Sequence, residues 1–214
     1  MPTAADRHIF AVGDIHGCYV KLKQMLSRLD WQPGRGDILL FLGDYIDRGS
    51  QSYEVVETLT ELTDKAPDEV ITLLGNHEQM FLDFLGGLAP PQLFANGQGA
   101  TIQDYCRPNN ELPASHLLFY RRLLLSYETD DYIFVHAGLR PGVGLAEQTT
   151  DDLLWIRDDF LNSDHDFGKT VVFGHTPLKD PLVAPGRLGL DTGAVFGGPL
   201  TAAILPETRF VFVD

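Results

Sequence analysis

The 214-residue chain carries 30 acidic against 16 basic side chains, a formal net charge of −14. That balance excludes the basic footprint of a nucleic-acid surface, and any anionic substrate needs positive charge concentrated locally. With 44% hydrophobic and 21% charged residues, the composition is that of a soluble globular chain with a real core, and no apolar run approaches the ~18 residues of a membrane span.

The length suits a single domain, 1–214, with room for an insertion. Met1–Arg7 has no basic region followed by an apolar one, so no secretory leader is expected and the cytoplasm is the expected compartment. Cys18 and Cys106 are too few for a disulfide framework and lack the spacing of a thiolate metal site.

In chain order, His8–Val12 reads as a buried strand that ends in Gly13-Asp14-Ile15-His16-Gly17. A helix follows over about Tyr19–Leu29, with Leu22, Met25, Leu26 and Leu29 on one face. After the turn Pro33–Gly36, a second apolar run, Ile38–Leu42, delivers Gly43-Asp44-Tyr45-Ile46-Asp47-Arg48-Gly49. This is the densest chemistry in the chain: two carboxylates and a guanidinium within five residues. The next helix, about Ser52–Asp64, places Val55, Val56, Leu59 and Leu62 at helical spacing, and Pro67 ends it. Val70–Leu74 then leads into Gly75-Asn76-His77-Glu78 and a helix carrying Met80, Phe81 and Phe84. One unit of strand, Gly-flanked polar turn and helix is thus repeated three times, which implies a largely parallel sheet with right-handed crossovers. In a parallel sheet the strand ends share one edge, so the three turns are expected to converge.

Gly86–Ser115 breaks this pattern with Gly86-Gly87, Pro90-Pro91, Gly97, Gly99 and Pro108-Asn109-Asn110. It reads as an irregular or short-helical insertion lying over the site, because long loops in compact domains tend to be functional. His116–Leu125 is expected to be helical. Tyr132–Val135 is a strand ending in His136-Ala137-Gly138. Asp151–Phe160 reads as a short helix carrying Trp155 and Arg157. Thr170–Phe173 is a strand ending in Gly174-His175-Thr176. From Leu182 onward the short β-runs Arg187–Leu190, Leu200–Leu205 and Phe210–Val213 read as an antiparallel segment closing a second sheet.

Five strand ends therefore present ligand-type side chains beside glycine: Asp14 and His16, Asp44, Asn76 and His77, His136, and His175. One histidine after a strand is ordinary turn chemistry; five such ends in one chain are not. Oxygen and imidazole donors without thiolate suit a hard-to-borderline divalent metal such as Mn, Fe or Zn. Two ions about 3.5–4 Å apart need a shared carboxylate and make a clamp for in-line displacement at phosphorus. Asp44, on the middle of the first three strands, is the expected bridge. Asp14 and His16 would complete one ion, and Asn76, His136 and His175 the other. His8, His116 and His165 lack this context and receive no role.

The ordered set Gly-Asp-x-His-Gly, Gly-Asp-x-x-Asp-Arg-Gly, Gly-Asn-His-Glu, His-Ala-Gly and Gly-His-Thr, over residues 13–176, resembles the metal-dependent serine/threonine phosphatases of the PPP family. The likeness is strongest to the small bacterial and phage members, within the calcineurin-like metallophosphoesterases. The resemblance implies an αββα sandwich, two β-sheets flanked by helices, and a two-metal phosphoesterase. It implies metal ligands at Asp14, His16, Asp44, Asn76, His136 and His175, a general acid at His77 oriented by Asp47, and phosphate-binding arginines at Arg48 and Arg157. Hydroxide bridging the metals would attack phosphorus while His77 protonates the leaving oxygen.

Two substrate classes follow, with no nucleic acid and no membrane among the partners. The first is a phosphate monoester, phosphoserine or phosphothreonine in a protein, or a small phosphoester. The alternative is a dinucleoside polyphosphate such as diadenosine tetraphosphate. The bacterial diadenosine tetraphosphatases typically end the second motif in Ala-Arg-Gly and follow the last histidine with Trp. Here Asp47-Arg48-Gly49 and Thr176 stand instead, which favours the monoester. Substrate selection is expected in Gly86–Ser115 and Gly138–Thr149, which no motif reads.

Overall fold

The computed structural model describes residues 7–88, 99–106 and 111–214. The first half runs β1 (Ile9–Val12), α1 (Tyr19–Arg28), β2 (Ile38–Phe41), α2 (Ser52–Lys65), β3 (Val70–Thr72), α3 (Asn76–Leu85), α4 (Gly99–Tyr105) and α5 (Ala114–Arg122). The second half runs β4 (Ser126–Glu128), β5 (Tyr132–Val135), α6 (Thr150–Trp155), α7 (Asp158–Leu161), β6 (Thr170–Phe173), β7 (Leu182–Ala184), β8 (Arg187–Gly189), β9 (Leu200–Leu205) and β10 (Arg209–Val213).

Two sheets form, in the orders β10-β9-β1-β2-β3 and β4-β5-β6-β8-β7. In the first, β1, β2 and β3 are parallel, while β9 runs antiparallel to β1 and hairpins into β10. In the second, β5, β6 and β8 are parallel, with β4 and β7 as antiparallel edges. Both sheets are mixed, and their central strands are buried on both faces, which explains why they read as unbroken apolar runs.

Alternation along the strands sorts the side chains into layers. Ile9, Ala11, Ile38, Leu40, Ala203 and Leu205 from the first sheet meet Phe134, Val172 and Leu188 from the second. On the opposite face, Phe10, Val12, Leu39, Phe41, Ala202 and Ile204 pack against Leu22 and Met25 of α1 and Val55, Val56 and Leu59 of α2. The outer face of the second sheet, Ile133, Val135, Val171 and Phe173, is covered by Leu153, Ile156 and Phe160 around α6 and α7. Helices, sheet, sheet and helices thus stack as the four layers of an αββα sandwich. No described helix is long and apolar enough to cross a membrane.

Several elements differ from the sequence expectation. The expected helix His116–Leu125 lies instead at Ala114–Arg122. Leu124 leaves it to pair with the end of the first sheet, donating to Thr72 O at 3.1 Å and accepting from Leu74 N at 2.7 Å. The unpredicted strand β4 follows. Asp151–Phe160 is not one helix: it breaks at Ile156-Arg157, where Arg157 has φ −136° and ψ −95°. The C-terminal hairpin does not close the second sheet. Leu200–Leu205 is buried at every residue and registers against β1, Ala203 opposite Ala11, while β7 and β8 complete the second sheet. Of the expected insertion 86–115, residues 89–98 and 107–110 lie outside the described residues; α4 packs on α2.

Candidate metal centre and phosphate site

The parallel strands of both sheets end at a common edge, and the backbone there is held in conformations that L-residues rarely adopt. His16, Asp44, Asp47, Arg48 and His175 have φ between +45° and +72°; Thr208 is the one other described non-glycine residue in that region. Strain of this kind persists only where the surroundings over-determine it, and it clusters at functional sites. Here the surroundings are hydrogen bonds between loops. Ile15 N and His16 N donate to Asp44 O at 3.0 and 2.8 Å, and Gly17 N to Tyr45 O at 2.8 Å. The buried Glu78 carboxylate accepts the backbone N–H groups of Asp44, Tyr45, Ile46 and Gly75 at 2.8–3.2 Å. Gly43 (φ +102°) lets the second and third loops touch: a Cβ there would lie 2.8 Å from Gly75 Cα and 2.9 Å from His136 Nδ1.

Asp14, His16, Asp44, Asn76, His136 and His175 are all buried at this edge, at most 5% exposed. Asp44 sits between two clusters, His16–Asp44–His77 and Asp44–His136–His175. Its Oδ2 faces His16 Nε2 at 3.3 Å and His77 Nε2 at 3.9 Å; its Oδ1 faces His136 Nε2 at 3.3 Å. Asn76 Oδ1 lies 2.9 Å from His136 Nε2 and 3.0 Å from His175 Nδ1. Asp14 receives the His175 backbone N–H at 3.0 and 3.2 Å on its two oxygens, which ties the sheets together.

The protonation states follow from the partners. His16 Nδ1 donates to Ile46 O at 2.8 Å and His136 Nδ1 to Leu42 O at 2.9 Å, so each presents an Nε2 lone pair to the centre. Burial lowers His16 to about 3 and His175 to about 2, and lowers His136 as well, so these rings are neutral. Burial also opposes ionisation of Asp44, but the surrounding imidazoles outweigh it and hold the carboxyl well below the usual range. Asp14 is raised by burial and by the charges of Asp191 and Asp44. Lone pairs directed at lone pairs, around clustered buried carboxylates, form a donor set that divalent cations complete. The residues therefore fit divalent cations, with Asp44 common to both clusters.

Beside this centre, His77 Nδ1 donates to Asp47 Oδ2 at 2.5 Å, and both residues are fully buried. The exposed Arg48 and Arg157 reach inward from the rim. Arg48 Nη1 contacts His16 Nε2, and Arg157 Nε donates to His175 Nε2 at 3.1 Å. Arg157 comes from the break between α6 and α7 rather than from a helix face. All ten residues expected from the sequence are thus brought together. His116 instead bonds Tyr105 and Glu57, and His8 pairs with Asp37 and Glu207.

Sequence reasoning missed three groups. Glu78 ends the motif Gly-Asn-His-Glu, which by itself gives it no task. Asp191, buried and pushed up to about 6 chiefly by its burial, adds a carboxylate beside Asp14. Its signal was present, since Leu190-Asp191-Thr192-Gly193 repeats the strand-end pattern after β8. Thr101 contacts Asp47 from a stretch with no motif at all.

The chain is similar along nearly its whole length to curated phosphoesterases. Bis(5'-nucleosyl)-tetraphosphatase PrpE (asymmetrical) of Geobacillus sp. (strain WCH70) is 29% identical over 235 residues, 94% of this chain and 92% of that protein. Serine/threonine-protein phosphatase 1 of Salmonella typhimurium is 30% identical over 209 residues, 92% and 91% of the two chains. Among solved structures, that of a candidate diadenosine tetraphosphatase superposes with a TM-score of 0.77 at 24% identity, covering 100% of this chain and 95% of that one, a likeness of fold. The model of the calcineurin-like phosphoesterases matches residues 7–213, and the chain belongs to that family.

Proposed function

We propose that this phosphoesterase hydrolyses dinucleoside tetraphosphates, with Asp14, His16, Asp44, Asn76, His136 and His175 holding two divalent ions. The observation that carries this reading is the similarity to an asymmetric bis(5'-nucleosyl)-tetraphosphatase over 94% of the chain. It supports the dinucleotide over the phosphate monoester that the endings of the second and fifth motifs suggested. The rim offers a physical reason. Phe196 is 64% exposed with the Arg48 guanidinium 5.4 Å from its ring centroid, and Trp155 is 38% exposed, edge-on to His175. Nucleobases stack on such rings, whereas a phosphoserine side chain has nothing to stack.

When bound, the two ions supply Lewis acidity and an activated water. Arg48 and Arg157 grip phosphate oxygens, in the bidentate manner a guanidinium allows. His77 gives the proton from Nε2 to the leaving oxygen, and Asp47 on Nδ1 holds the ring in orientation. His77 Nε2 lies 3.9 Å from Asp44 Oδ2, within reach of the first cluster.

A second reading is hydrolysis of phosphoseryl or phosphothreonyl esters, favoured by the similarity to the Salmonella phosphatase and by the Asp47–His77 pair, which suits a leaving alkoxide of high pKa. The test compares diadenosine tetraphosphate, a phosphothreonyl peptide and an aryl phosphate on one Mn²⁺-loaded preparation, with products separated by chromatography. The expected result is at least tenfold higher kcat/KM for the dinucleotide, with ATP and AMP as products. Higher kcat/KM for the peptide would reverse the order of the two readings.

A further inference from the structure

The described part of the segment between α3 and α5 makes one direct connection to the acid-base pair. Thr101, on α4, has no exposed surface. Its Oγ1 donates to Asp47 Oδ1 and accepts the Asp47 backbone N–H at 2.9 Å. The same N–H lies 3.1 Å from Ser52 Oγ, and the two hydroxyls are 3.2 Å apart. A threonine hydroxyl has one proton. Here it is committed to Oδ1, which leaves Oδ2 of the same carboxylate for His77 Nδ1.

The placement of Thr101 is secured one turn later on its own helix. Asp104 Oδ2 accepts the Tyr53 backbone N–H at 2.8 Å, which satisfies a free donor in the first turn of α2. Residues i and i+3 of a helix share a face, so Thr101 and Asp104 dock α4 onto Ser52 and Tyr53 as two pegs. Tyr105 adds a stacked contact with Phe81, centroids 5.8 Å apart.

We propose that Thr101 is a positioning residue for the general acid. It fixes the rotation of the Asp47 carboxylate and, through it, the ring of His77. The proposal rests on the assignment of His77 as general acid. Without the hydroxyl, Asp47 Oδ1 is a buried acceptor without that donor, and the carboxylate is free to turn away from Nδ1. The loss should fall on the step that needs a proton.

The experiment uses Thr101→Val, which keeps the shape and removes the hydroxyl, together with Thr101→Ser, Thr101→Ala and His77→Asn. Each is assayed on an alkyl phosphate, a poor leaving group, and on dinitrophenyl phosphate, a good one, at saturating Mn²⁺. Bound metal and thermal midpoint are measured alongside. Thr101→Val should lower kcat on the alkyl ester roughly tenfold, a part of the ~10²–10⁴ that a general acid supplies, and leave the dinitrophenyl ester within about twofold. Thr101→Ser should restore the alkyl rate, and Thr101→Val should add nothing in the His77→Asn background. Equal losses on both esters, or additivity with His77→Asn, would overturn the proposal and leave Thr101 a packing residue. If Thr101→Val does not fold, Thr101→Ala is read by the same two criteria. If His77→Asn itself discriminates between the esters and the Thr101 variants do not, the Thr101 proposal alone falls. If His77→Asn does not discriminate, the acid assignment falls, and this proposal with it.

Discussion

His77 and Asn76 are neighbours in sequence, yet the tasks proposed for them differ, and mutation would separate them. His77 spends Nδ1 on Asp47, so His77→Asn should lower kcat on an alkyl phosphate by roughly 10²–10⁴ while metal content, measured by elemental analysis, stays near wild type. Loss of metal in that variant would make His77 a ligand, as its place in the first cluster also permits. Asp44 turns one oxygen toward each cluster, so Asp44→Asn should cost both metal occupancy and activity. Arg48→Ala should raise the inhibition constant of inorganic phosphate as well as slow turnover, because a guanidinium holds phosphate oxygens in ground and transition states alike. The proposed ligands were legible because each follows an apolar strand and has a glycine within two residues. Thr101 was not: its partner lies 54 residues away, and a single threonine carries no periodic or spacing signal.

The strands and their turns were the most legible elements. Strands buried on both faces must be apolar throughout, and the Gly-rich turns punctuate them. What pattern reading could not supply was pairing. The run Leu200–Leu205 is apolar enough for either sheet, and only its register with β1 decides. Likewise Leu123-Leu124-Leu125 continues a helical pattern, but Thr72 and Leu74 at the end of the first sheet offer hydrogen bonds that draw Leu124 out of it. The break at Ile156-Arg157 lets Arg157 reach His175. Arg157→Ala should weaken phosphate inhibition in the same direction as Arg48→Ala, but less. Leu40, fully buried between the sheets, tests the layer assignment: Leu40→Ala should destabilise by about 2–5 kcal/mol, read by urea unfolding, with the denaturant slope unchanged.

Across the whole molecule, the residues proposed to hold the ions come from both halves of the sandwich. Asp14, His16, Asp44 and Asn76 follow strands of the first sheet; His136 and His175 follow strands of the second. A centre shared in this way would act as a staple between the sheets at an edge that concentrates the buried carboxylates Asp14, Asp44 and Asp191. Ion binding to the folded state alone then adds stability by mass action, about 2.7 kcal/mol at a hundred times the dissociation constant. The thermal midpoint should rise with the logarithm of Mn²⁺ concentration and fall on chelation, and hydrogen exchange should quicken first in the loops after β1, β2, β5 and β6. A midpoint indifferent to chelator would separate the ions from the fold. The consequence reaches past catalysis to supply. Cells clear proteins by way of their unfolded fraction, so a cell short of the metal would lose the enzyme itself along with its turnover. Restoring the ion would bring activity back only as fast as new chains are made.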